Sequence, residues 1–152
     1  MKKVFKLKNI IIFLIAFLGL AQFLNIDKNN PKVSSSLDFL AVENPPHNIS
    51  KMIKNECYDC HSNETNYPWY TDYAPISWWI KSNINGGREY FNFSEWGTLS
   101  VKEKTAKMQA CFEALEEEEM PVLLYIMMHE EAQFSSAQND SLMNWFKNIE
   151  VK

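Results

Sequence analysis

Five consecutive residues, Cys57-Tyr58-Asp59-Cys60-His61, constrain this chain more than any others. Two cysteines three positions apart with a histidine directly after them is the spacing by which haem is fastened to a polypeptide. On one helical turn each thiol can add to a vinyl group of the same porphyrin, and the adjacent imidazole lies close under the iron as its proximal ligand. Two plainer readings compete: a Cys-x-x-Cys redox pair, and half of a zinc site with an incidental histidine. The redox pair belongs in a βαβ pattern, which this sequence does not offer. The zinc site needs further ligands, and the only other cysteine is Cys111. Covalent haem is the stronger expectation, with Cys57 and Cys60 as anchors and His61 on the iron.

Composition agrees. A chain of 152 residues has room for one domain and a targeting segment. Its 14% aromatic content suits the wall of a flat apolar cofactor. A formal net charge of −4, with no basic patch beyond the extreme N-terminus, argues against nucleic acid as a partner. Three cysteines, two of them in the motif, make no disulfide framework, and Cys111 reads as a small buried apolar side chain.

Lys2, Lys3, Lys6 and Lys8 precede an apolar run from Ile10 to Leu24. As a helix that run is roughly 22 Å long, short of a hydrocarbon core of roughly 30 Å. The length favours a removable signal, with Gly19-Leu20-Ala21 as a weak cleavage site. Phe23, Leu24 and Ile26 carry the apolar character further, as a retained anchor would, and the run is apolar on every face. We therefore expect residues 1–26 to form a signal-anchor in the cytoplasmic membrane, lysines inward, with the remainder on the periplasmic side. A soluble periplasmic domain after signal cleavage is the alternative.

Residues 27–46 are rich in Asn, Ser and Pro and read as a linker, with Leu37, Phe39 and Leu40 touching the domain. Residues 47–150 read as an all-α domain of short helices. Asn48 is placed to cap a helix bearing Ile49, Met52 and Ile53 that runs into Cys57. Pro75 suits the first turn of a helix with Ile76, Trp79, Ile80 and Ile84 on one face, ended by Asn85-Gly86-Gly87. Ser100 with Glu103, and Ser135 with Gln138, are capping boxes opening two further helices. The first carries Val101, Met108, Cys111 or Phe112, and Leu115; the second carries Leu142, Trp145, Phe146 and Ile149.

A second axial ligand is sought after the run Glu116–Glu119, where Met120-Pro121 follows at once. Proline stops the chain folding back into the preceding helix, so the thioether in this turn can be held out toward the open side of a haem. Methionine opposite histidine is the electron-transfer arrangement. Met120 is the preferred candidate, with His129, Met127, Met128 and the core-facing Met108 behind it. His47 reads as a surface loop residue. The aromatic set Tyr67, Trp69, Tyr70, Tyr73, Trp78, Trp79, Tyr90, Phe91, Phe93 and Trp96 reads as packing that keeps water from the porphyrin. Arg88 is a candidate partner for a propionate or a solvated turn residue.

The stretch CYDCHSNETNYPWY, then APISWWI, NGGRE, NFSEW, EMP and MHEEA, resembles the haem-binding domain family of cytochrome c-like bacterial proteins. The likeness runs in consistent order from about Pro45 to Ile149. It implies a small cytochrome c-like domain around one covalent haem c, with Cys57, Cys60 and His61 in their standard roles and Met120 in the distal position. It also favours a hydrophobic N-terminal segment followed by a Gln-Phe pair, here Gln22-Phe23. Glu130 stands after His129 where members often have proline, which weakens a special role for that histidine.

Two functions are then open. One is an electron carrier, not an enzyme, that passes single electrons to redox partner proteins and binds no small-molecule substrate. The other is a ligand sensor or peroxide-reducing enzyme with a labile sixth position on its iron. His47 and His129 are the only further histidines from which a distal acid–base group could come.

Overall fold

The computed structural model describes residues 2–152, with side chains from Lys6 onward; the side chains of Lys2 and Lys3 lie outside the described residues. The described residues run through eight α-helices: α1 Lys2–Ala21, α2 Phe39–Glu43, α3 His47–Glu56, α4 Tyr58–His61, α5 Ile76–Tyr90, α6 Val101–Glu116, α7 Leu123–Met128 and α8 Ser136–Asn148. Short 3₁₀ turns at Trp69–Asp72, Phe93–Thr98 and Glu130–Ala132 link them, and no strand occurs among the described residues. The all-α expectation holds.

Local chemistry accounts for most of these elements. The hydroxyls of Ser100 and Ser135 each accept the backbone N–H three residues on, while Glu103 and Gln138 reach back to the cap N–H. Each box satisfies two of the four donors that a helix start leaves free. Helix α3 buries Ile49, Met52, Ile53 and Glu56, one face at the three-to-four-residue helical spacing. Its first residue is His47, preceded by Pro46, so Asn48 lies inside the helix and not at its cap.

Helix α5 runs through Asn85-Gly86-Gly87 to Tyr90, where the glycines suggested a stop. The reason is packing. A Cβ on Gly87 would stand 2.7 Å from the carbonyl oxygen of Cys60, so the bare Cα lets α5 lie directly against α4. A glycine inside a helix costs about 1 kcal/mol relative to alanine, and here close backbone approach offsets it.

The core gathers Phe39, Ile49, Met52, Ile53, Tyr58, Phe91, Phe93, Trp96, Met108, Leu142 and Phe146. Phe39, from the Asn/Ser-rich stretch, is fully buried; its ring lies 4.8 Å from Phe93 and 5.0 Å from Trp96. Burial of such a side chain contributes roughly 1.5–3 kcal/mol. The expected aromatic wall therefore divides. Phe91, Phe93 and Trp96 belong to the core, whereas Trp69, Tyr73 and Tyr90 are exposed. Beneath the core the buried Glu43 accepts the Trp96 indole N–H at 2.7 Å and a hydrogen bond from the Lys152 backbone at 3.2 Å, with Lys104 Nζ 4.0 Å away. A buried carboxylate is tolerable only when paired in this way.

Helix α1 corrects an expectation. Among the described residues, no helix is long and apolar enough to cross a membrane. The apolar run is only about four turns, and Lys6 and Lys8 occupy part of the helix. The membrane anchor is overturned, and the periplasmic placement built on it loses its support. What the structure does show is a latch at the end of α1. The Gln22 amide donates to the Ala74 carbonyl at 3.0 Å and accepts from the Ala74 N–H at 3.1 Å, while Trp78 Nε1 donates to the Leu24 carbonyl at 2.9 Å.

Candidate functional site

The five-residue motif sits at a helix break. Cys57 closes α3 and precedes the single turn α4, in which its carbonyl accepts the His61 N–H at 2.8 Å. Neighbours on three sides hold that turn. Tyr58 is buried, stacked on Phe93 with centroids 5.1 Å apart, and its hydroxyl donates to Asp38 at 3.0 Å. Ser62 Oγ donates to the Tyr58 carbonyl at 2.7 Å, capping the turn. Arg88 Nε donates to the Ser62 carbonyl at 2.7 Å, and its Nη2 donates to Asn30 and Thr65 at 2.8 Å each. The arginine thus pins the chain just beyond the motif to α5.

His61 packs on Phe91, ring centroids 4.9 Å apart, with Nδ1 3.3 Å from the Phe91 carbonyl oxygen. A carbonyl can only accept, so the proton resides on Nδ1 and the Nε2 lone pair is free. Burial lowers the His61 pKa, opposed by the carbonyls of Phe91 and Gly87. The imidazole is therefore neutral at pH 7, the form that can coordinate a metal.

Burial also governs the thiols. Cys57 is pushed well above its ordinary value by burial, then by Glu56, Cys111 and Cys60. Burial and Asp59 raise Cys60 to about 11, against the pull of Arg88. Burial raises Cys111 to about 12. All three are protonated at neutral pH, the reverse of a dithiol redox centre, whose attacking cysteine has a depressed pKa. No cluster of three or more His, Cys, Asp or Glu side chains able to hold a metal ion is found among the described residues.

Beside α4 opens a cavity of about 500 Å³. Cys60 and Asp59 form one edge, Ile76, Trp79, Ile80 and Ile84 of α5 a second, Tyr67 and Tyr70 a third, and Val122, Leu124, Tyr125, Met128 and His129 close it. Two polar clusters stand in its lining. Tyr125 Oη lies 3.0 Å from Asp59 Oδ2 and 2.8 Å from the Asn55 carbonyl, and Tyr70 Oη lies 2.5 Å from His129 Nε2. Burial, followed by the charge of Asp59, raises the pKa of both phenols, so each keeps its proton.

The sequence-derived candidates are thus distributed unevenly. Cys60 lines the cavity, while Cys57 packs toward the core and His61 toward Phe91. Met120 lies in the turn between α6 and α7, 44% exposed and outside the cavity lining. His129 is buried and faces the cavity with Met128; Met108 is a core residue, and Met127 and His47 are exposed. Sequence reasoning missed the Asp59–Tyr125 and Tyr70–His129 pairs. No local signal gives them, since Tyr125 lies in α7 whereas His129 follows it in extended conformation, and both partners are distant in sequence.

Comparison with curated proteins and with solved structures returns no match. The haem-binding domain family matches over residues 16–148, from within α1 to the end of α8, and so takes in the motif, the cavity and the Met120 turn. With nearly its whole length covered, the chain belongs to the haem-binding domain family, and haem is its cofactor.

Proposed function

We propose that the chain is a monohaem c-type cytochrome that carries single electrons between proteins. In this reading Cys57 and Cys60 would hold the haem through thioethers, and His61, through Nε2, and Met120 would be the ligands to its iron. The observation that carries the reading is the state of His61: neutral, with Nδ1 engaged by Phe91 and Nε2 free, one turn from two protonated thiols. That donor set fits a covalently held haem better than a dithiol or zinc centre, and the apolar cavity begins at Cys60. Bound haem supplies a one-electron Fe(III)/Fe(II) couple.

The protein's own contribution is to bind, orient and exclude water. The Phe91 carbonyl sets the His61 tautomer and ring orientation, as outer partners of metal-bound histidines generally do. Ile76, Trp79, Ile80 and Ile84 give the cavity an apolar wall. Met120 as the second ligand would raise the potential and would leave no open position for a substrate. The test is to produce the protein in cells competent for cytochrome maturation and record its mass with oxidised and reduced spectra. One added haem mass with a low-spin six-coordinate spectrum is expected; colourless protein at the bare polypeptide mass rules the reading out.

A second reading, a ligand sensor or peroxide-reducing site, is favoured by one observation: Met120 is exposed and does not line the cavity. Carbon monoxide separates the two. Immediate binding to the reduced protein, with no ligand displaced, favours the second reading, and slow or absent binding favours the carrier.

A further inference from the structure

The segment that carries Met120 has little apolar packing to locate it. No residue of α7 is buried, and Leu123 and Met127 are 72% and 67% exposed. Directed contacts hold it instead: the Met120 N–H donates to the Ala114 carbonyl at 3.1 Å, Gln133 Nε2 donates to the Ile126 carbonyl at 3.0 Å, and the side chains of Tyr125 and His129 reach other parts of the fold. Tyr125 Oη reaches back to α3 and to the motif turn α4, sharing its one proton between the Asn55 carbonyl at 2.8 Å and Asp59 Oδ2 at 3.0 Å. Asp59 is itself the third residue of the motif, and its other oxygen accepts the Asn66 N–H at 2.9 Å. Four residues beyond Tyr125, buried His129 is held by Tyr70 Oη at 2.5 Å and packs on the Tyr125 ring with centroids 4.0 Å apart. His129 Nδ1 is sealed from water and has no hydrogen-bond partner; Glu131 Oε1 is 3.4 Å away but off the bonding direction. The histidine therefore has one bond that holds it, the one to Tyr70.

We propose that Tyr125 and His129 are positioning residues, which tie the Met120 segment to the motif turn α4 through Asp59 and to the Trp69–Asp72 turn through Tyr70, and so set how firmly the sixth position on the iron is closed. The inference rests on Met120 being the distal ligand. The geometry is economical: one carboxylate inside the motif clamps both the 65–66 loop and α7, so the proximal attachment and the distal segment share a support. Loss of a hydrogen bond to a charged acceptor changes an equilibrium by roughly ten- to a hundredfold. The open, methionine-dissociated fraction should rise by about that factor when Tyr125 loses its hydroxyl.

The test uses the haem-loaded full chain, with imidazole as the added probe. Wild type, Tyr125→Phe, Tyr70→Phe, Asp59→Ala and Asp59→Asn are titrated with imidazole in the oxidised state, and the weak far-red band of the methionine–iron bond is recorded. Mass and thermal melting report haem content and folding independently. We expect imidazole affinity to rise about tenfold or more in Tyr125→Phe and Asp59→Ala, and less in Asp59→Asn, which keeps an acceptor oxygen. Should Tyr125→Phe fail to fold, Tyr70→Phe carries the same expectation through His129. A far-red band in wild type that is unchanged in these variants, with unchanged imidazole affinity, overturns the positioning role alone. A wild type without the band overturns the Met120 assignment, and this proposal with it.

Discussion

The Nδ1 atom of His61 and the carbonyl oxygen of Phe91 lie 3.3 Å apart, joining the motif turn to the end of α5 across thirty residues of sequence. Because a backbone carbonyl accepts and never donates, this contact selects the imidazole tautomer whose other nitrogen is available to a metal. Phe91 contributes its ring to the same histidine and to the core, so the orientation of the imidazole is tied to the best-packed part of the molecule.

The attachment chemistry gives the first prediction. Cys57→Ser combined with Cys60→Ser should yield protein at the bare polypeptide mass under conditions where wild type carries one haem. Either single variant should retain haem through the remaining thioether. Intact-mass spectrometry after denaturation reads all three outcomes.

Met120 gives the second. Met120→Ala should abolish the far-red band, lower the reduction potential and allow carbon monoxide to bind the reduced protein without a displacement step. An unchanged spectrum would move the assignment to Met127, Met128 or His129. Redox titration with absorption spectroscopy is the measurement.

Glu56 gives the third, a pH dependence. The carboxyl is 7% exposed, its Oε2 has no hydrogen-bond partner, and burial raises its pKa from an ordinary 4.5 to about 7. The folded state thus holds this proton more tightly than the unfolded state does. Its contribution to stability is fully present below pH 4.5 and is lost as the pH rises through 7. The loss above pH 8 is about 3 kcal/mol at most. Glu56→Gln should remove this dependence, so its melting temperature relative to wild type should be distinctly higher at pH 8 than at pH 5. Thermal melts across that range decide the matter.

Two adjacent glycines give the fourth. A Cβ on Gly86 meets nothing within 4 Å, so Gly86→Ala should stabilise α5 by up to about 1 kcal/mol. A Cβ on Gly87 meets the Cys60 backbone at 2.7 Å, so Gly87→Ala should destabilise by about 1–3 kcal/mol and reduce haem incorporation. Urea unfolding of both variants should show opposite signs.

Features legible in the sequence are those whose physics is local. Cys57, Cys60 and His61 belong together because one helical turn brings them together. The Ser100–Glu103 and Ser135–Gln138 boxes likewise close within four residues, and both are present in the fold. The glycine pair misled because the signal for a helix end and the signal for close helix packing use the same residue, and only the neighbour at Cys60 tells them apart. The aromatic residues were legible as a group but not in their division, since Phe93 and Trp69 look alike in sequence, yet one is buried and the other exposed.

By itself, then, the sequence determined the haem cofactor, the helical class and the family, because motif spacing and helix capping act over a few residues. Only the tertiary structure decided which nitrogen of His61 is free, which aromatics leave the cavity for the core, and that Asp59 holds Tyr125. Those outcomes depend on groups 30 to 66 positions apart, and no local propensity reports whether such groups meet.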